Sequence, residues 1–144
     1  MAKMFWNIFV AVSLLGYLEA RITLPPEIEA FIDKLHAHCI ENSDLTEEDH
    51  AAYEVGHKNE ALMCYMKCLM LESKWMSSDG EIQYDSIIQN AHPSYADLLT
   101  AAINKCRSIE NGADLCEKSY NFNYCMHQAD PEDGFFIFQN WFLV

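Results

Sequence analysis

Basic residues are scarce in this chain. Lys and Arg total 9 against 22 Asp and Glu in 144 residues, a formal net charge of −13 at pH 7. Phosphate contacts need Lys and Arg, so the deficit argues against nucleic acid and anionic membrane surfaces as partners. No stretch alternates apolar and polar residues at period two for long enough to predict a strand. There is no Asn-x-Ser/Thr acceptor, no internal repeat and no low-complexity segment. Catalytic signatures are missing as well: no nucleophile elbow, no phosphate-cradling Gly-rich loop and no HExxH. Glu47, Glu48 and Asp49 are read as carboxylates in the first turn of a helix, where the dipole favours negative charge. No enzyme and no cofactor is expected.

What is present begins with a leader. Residues 1–20 read as a secretory signal peptide, with Lys3 as the positive start, an apolar stretch over residues 4–15 and a cleavage site at Leu18-Glu19-Ala20. The apolar run is short for a membrane-spanning helix. The mature chain is then residues 21–144, one domain. It keeps the charge of −13, because the leader carries one Lys and one Glu. Such a surface suits a soluble protein held monodisperse at high concentration.

All six cysteines (Cys39, Cys64, Cys68, Cys106, Cys116 and Cys125) follow the leader. An even count in a small exported chain predicts three disulfides. Oxidation also bears on metal binding. His36, His38 and Cys39 lie close in sequence and Cys64/Cys68 have i,i+4 spacing, but disulfides remove the thiolates and no paired CxxC occurs. No metal is expected, and the histidines of the first helix are read as solvent-facing.

The apolar periodicity predicts about six helices. Leu24, Ile28, Phe31, Ile32, Leu35, Cys39 and Ile40 mark one over residues 26–40, opened by proline. Thr46 and Asp49 match a capping box for a second helix, which runs to about Val55 and ends at Gly56. The central helix spans residues 60–74. A short helix follows over residues 86–90, capped by Asp85, and a fifth from Tyr95 to about Ile109, capped by Ser94. Asp114 caps the last, Leu115 to about Gln128.

The central helix, with Cys64-Tyr65-Met66-Lys67-Cys68 at its middle, organises the rest. Cys64 and Cys68 share a face with roughly parallel Cβ vectors, so they are poorly placed to bond each other. Cys116 and Cys125 sit about 13 Å apart along one helix, beyond disulfide reach. Each exclusion removes three pairings and one is shared, so ten of fifteen connectivities stay open.

The ordered gaps (x24, x3, x37, x9, x8), with six helices in an acidic exported chain, resemble the insect odorant-binding proteins, including the pheromone-binding members. Met63-Cys64-Tyr65-Met66-Lys67-Cys68 is similar to that family's phrase around its second and third cysteines. The resemblance covers nearly all of residues 24–134. It implies the pairs Cys39–Cys68, Cys64–Cys116 and Cys106–Cys125, all within the ten left open. It further implies a non-enzymatic carrier of small hydrophobic ligands such as odorants, pheromones or related lipids, secreted into a chemosensory lymph. A chemosensory receptor and a second copy of the chain are further candidate partners.

Met63, Met66, Met70 and Met76, with Leu62, Leu69 and Trp75, crowd the central helix. Methionine repacks readily, which suits a wall around varied ligands, although each residue alone also serves as plain core. The wall residues implied by the resemblance are Phe31, Leu35, Leu62, Met66, Leu69, Met70, Trp75, Ile88, Leu98, Leu99, Ala102 and Phe122. The tail over residues 135–144 holds eight large apolar side chains in ten. It is read either as a cover on the core or, through Phe136, Phe138 and Trp141, as part of the cavity wall. Tyr65, Tyr84, Tyr120 and Tyr124 are candidate hydroxyl partners for a ligand. His127, just before Asp130 and Asp133, is a candidate pH switch for the tail, because histidine titrates near neutrality. The rival reading is a secreted interaction protein with a filled core, whose apolar tail docks a receptor or partner.

Overall fold

The computed structural model describes residues 24–129. Residues 1–23 and 130–144 lie outside the described residues, and with them the leader, Phe136, Phe138, Trp141 and the rest of the tail. Six helices follow in order: α1 (Pro26–Glu41), α2 (Glu47–Ala51), α3 (Glu60–Glu72), α4 (Tyr84–Gln89), α5 (Ala96–Lys105) and α6 (Leu115–Ala129). Among the described residues the only extended pairing is an isolated antiparallel bridge, Met76 with Ile82.

Local chemistry explains most boundaries. Pro26 opens α1, where a missing N–H costs nothing. Thr46 and Asp49 form the reciprocal capping box at the start of α2. The Asn59 side chain accepts from the Leu62 N–H to cap α3. Asp114 accepts from the Glu117 N–H at 2.9 Å to begin α6.

Three helices differ from expectation at their ends. α2 stops at Ala51, and Tyr53 leaves the helix to pack on the core beside Tyr120. Ser94 does not cap α5, since its hydroxyl is 2.8 Å from His92 Nδ1, and α5 ends at Lys105 because Cys106 turns out to reach Cys125. Asp85 sits within the first turn of α4 and pairs with Arg107 at 2.7 Å instead of capping. Between α3 and α4 the chain reverses at Gly80, whose φ of 87° suits glycine alone. A Cβ there would collide with Leu115 at the start of α6.

The helices close on one apolar cluster. α3 and α6 are its principal pair, with α1 also on α3, α5 on α6, and α4 on α5. Phe122 is fully buried on α6, edge-on to Trp75 and tilted against Tyr84. Ser119 and Asn123, one turn apart on α6, are also buried. The Asn123 amide donates to the Ser119 carbonyl and lies 3.6 Å from Met70 Sδ, while the Ser119 hydroxyl donates to the Leu115 carbonyl. Their polar groups are thus satisfied inside an otherwise apolar seam.

The disulfides are Cys39–Cys68, Cys64–Cys116 and Cys106–Cys125, with Cα–Cα distances of 5.7, 4.5 and 5.8 Å. They tie α1 to α3, α3 to α6 and the end of α5 to α6. The central helix is stapled to two neighbours through cysteines one turn apart.

Candidate functional site

A cleft of about 240 Å3 opens where α3 ends, α4 passes and α5 begins. Trp75, Ile87, Ala91, Tyr95 and Leu99 form its apolar wall. Ser73, Lys74, Ser86 and Asn90 form its polar rim, and Asn90 donates to the Ser86 carbonyl at 2.8 Å. Backbone shape creates the opening. Lys74 adopts φ 63°, an uncommon left-handed conformation for a residue with a Cβ, and this turns the chain sharply off the end of α3. Trp75 is thereby carried to the wall, with Phe122 behind it. The volume lies slightly under the usual range for small-molecule sites, so a compact ligand fits it best.

The expected wall residues divide into four groups. Trp75 and Leu99 line the cleft itself. Leu35, Leu62, Met66, Leu69, Met70, Ala102 and Phe122 are buried in the cluster behind it, and Ile88 packs on that cluster half-buried. Leu98 is half-buried on α5 outside the cluster. Phe31 is a correction: it is 48% exposed and turned to solvent. The buried stripe of α1 is Ile32, Leu35, His36 and Cys39. Phe31 lies one residue, about 100° of rotation, from Ile32 in that stripe.

His36 corrects the sequence reading in the opposite sense. It is 8% exposed, not solvent-facing, whereas His38 is exposed as expected. His36 Nδ1 lies 2.7 Å from Tyr65 Oη, and Nε2 lies 3.3 Å from Glu47 Oε2. Burial, and next the nearby Glu47 charge, push the Tyr65 hydroxyl well above its ordinary range. That tyrosine faces the histidine and not the cleft. Tyr84 lies under the Arg107 guanidinium, and Tyr120 is buried with its ring stacked on Tyr124. The tyrosine beside the cleft is Tyr95, expected as the first residue of the fifth helix. The His92-Pro93-Ser94 break before it was the available signal, because a chain entering a helix there carries its first aromatic to the rim.

His127 is half-buried near the end of α6, and its Nδ1 is buried without a hydrogen-bond partner among the described residues. Asp130 and Asp133 lie outside the described residues. A second, open groove of about 860 Å3 runs between α1 and α3. Glu41, Asp44, Glu60 and Glu72 line it, which makes it a poor place for an apolar molecule.

Among the described residues, six helices interlocked by three disulfides define a small stapled all-α fold. Residues 23–129 match the model of the PBP/GOBP family, and the chain belongs to that family, the insect odorant-binding proteins. An odorant-binding protein of Locusta migratoria superposes with a TM-score of 0.71 at 20% identity, covering 87% of this chain and 97% of the other. One from the medfly gives 0.66 at 22% identity, covering 76% and 97%. At such identities the likeness is one of fold. Together the family and the fold are those of a small odorant-binding carrier. No helix among the described residues is long and apolar enough to cross a membrane.

Proposed function

We propose that the chain is a secreted, non-enzymatic carrier of a compact hydrophobic ligand, taken up between α3, α4 and α5. The family match carries this reading. The cleft beside Trp75 and Leu99 supports the location, since its apolar wall packs on the buried cluster. Three disulfides disfavour the unfolded chain and so offset the stability that an incompletely filled interior costs. Tyr95 and Asn90 are the polar groups placed to meet a ligand hydroxyl, ester or carbonyl. The tail serves as cover or wall, and His127, with a buried ring nitrogen, is the group through which acid would alter its seating.

Displacement of a fluorescent apolar probe tests this, using oxidised residues 21–144 beside a version truncated after Gly134. Probe binding by both makes the tail a cover; binding by the full chain alone makes it a wall. Uptake by neither overturns the carrier. A bound ligand also raises thermal stability, by about 2.7 kcal/mol at a hundredfold excess over Kd. In the same assay His127→Ala flattens the pH dependence of probe binding, and an unchanged profile removes the switch.

A further inference from the structure

We propose that His36, Glu47 and His50 form a binding site for a zinc-type divalent metal ion at the corner between α1 and α2. One donor atom from each residue, two imidazole nitrogens and a carboxylate oxygen, lies within 4.8 Å of the other two. A tetrahedral ion with bonds of about 2.0–2.1 Å spaces its ligands roughly 3.4 Å apart. His36 Nε2 and Glu47 Oε2 already stand at 3.3 Å. Over the widest donor separation the remaining approach is at most about 1.4 Å against that spacing, and the Glu47 side chain, 66% exposed, has room to swing toward the ion.

The two imidazoles are held by their surroundings. His50 is 2% exposed, and the two rings lie 4.8 Å apart at 51°. Both also pack edge-on to Tyr65 of α3, at centroid distances of 5.8 and 5.3 Å. Tyr65 Oη, 2.7 Å from His36 Nδ1, stands where the outer hydrogen-bond partner of a metal-bound histidine would stand. An ion selects the tautomer in which Nδ1–H donates to Tyr65 Oη, which frees the Nε2 lone pair beside Glu47 for the metal. Rigid histidines on the inside and an adjustable carboxylate on the outside give an ion both a seat and an entry path. Water fills the fourth position on the solvent side.

Ligand chemistry selects the ion. Two nitrogen donors favour zinc, copper or nickel over calcium and magnesium, which take oxygen. The site uses no cysteine, so oxidation leaves it intact. It also has a structural consequence: α2 carries no disulfide, and an ion here would fasten it to α1, whose own staple runs to α3.

Calorimetric titration of the oxidised protein with zinc chloride, beside calcium chloride, tests the site. One zinc ion per chain and no calcium binding is expected. Glu47→Gln and His50→Gln should each abolish that isotherm, and Tyr65→Phe should weaken it roughly 10–100-fold through the outer contact. His38→Gln, on the exposed face of α1, should leave it unchanged. Should His50→Gln fail to fold, Glu47→Gln on the surface and Tyr65→Phe in the core still decide. No zinc binding, or equal affinity in Glu47→Gln, Tyr65→Phe and the parent, overturns the proposal. Equal loss in His38→Gln identifies adventitious binding by the acidic surface and overturns it too.

Discussion

The α3–α6 spine and the α4–α5 flank draw on the same apolar residues but are secured by different means. Cys64–Cys116 joins the two spine helices directly, and each spine helix carries a second disulfide to a neighbour. The flank has one covalent tie, at the far end of α5, while α4 has none. α4 is held by the burial of Ile87, the half-buried Ile88 and an exposed Asp85–Arg107 pair. The cleft lies on this lightly held side. Cross-links set where the interior stays fixed, and their scarcity leaves the flank the side that opens most easily.

The largest expected effect comes from breaking the spine. Joint Cys64→Ala and Cys116→Ala substitution opens a loop spanning 52 residues in sequence. It should cost about 2–5 kcal/mol in denaturant unfolding, enough to threaten folding at body temperature. A loss under about 1 kcal/mol would mean that packing alone maintains α3 against α6, since native disulfides in small secreted domains usually contribute more.

The flank should respond in the opposite way. Ala91→Trp places an indole in the cleft, where it should reduce probe affinity tenfold or more. Stability should stay within about 0.5 kcal/mol, as for other peripheral substitutions. Phe31→Ala, on the solvent face of α1, is the control and should change neither. If Ala91→Trp binds probe like the parent, the ligand sits elsewhere in the interior and the cleft is only a surface feature.

The sequence made the spine legible because its signals are redundant. Cysteine gaps, helical periodicity and the Asp114 cap all point to the same arrangement. The cleft was harder to see. It depends on Lys74 turning left-handed and on α5 starting one residue after Tyr95, and neither follows from residue type. Phe31 and His36 depart from expectation for one reason: position on the helix, not hydrophobicity, decides their burial. His36 falls four residues after Ile32 and three before Cys39, squarely on the buried stripe, while Phe31 falls off it. A histidine on an apolar face implies buried partners for its ring nitrogens, and Tyr65 and Glu47 are those partners.

The spine also has a non-covalent tie, and it sets the smallest expected effect. Lys58, just ahead of α3, pairs with Glu117 in the first turn of α6, and the Ala113 N–H donates to the same carboxylate at 2.8 Å. The Lys58 hydrogen bond first, and the Ala113 N–H next, hold the Glu117 carboxyl below its ordinary value. A carboxyl depressed in the folded state contributes stability above its unfolded pKa. That contribution disappears as pH falls through the folded value. Glu117→Gln should therefore lower the melting temperature slightly at neutral pH and converge with the parent in acid. Lys58 is exposed and Glu117 half-buried at the surface, so added salt should shrink the difference. A gap that persists in acid, or that salt leaves untouched, would show that Glu117 acts through its cap on the Ala113 amide and not through Lys58. The spine would then rest on its disulfide and apolar packing alone.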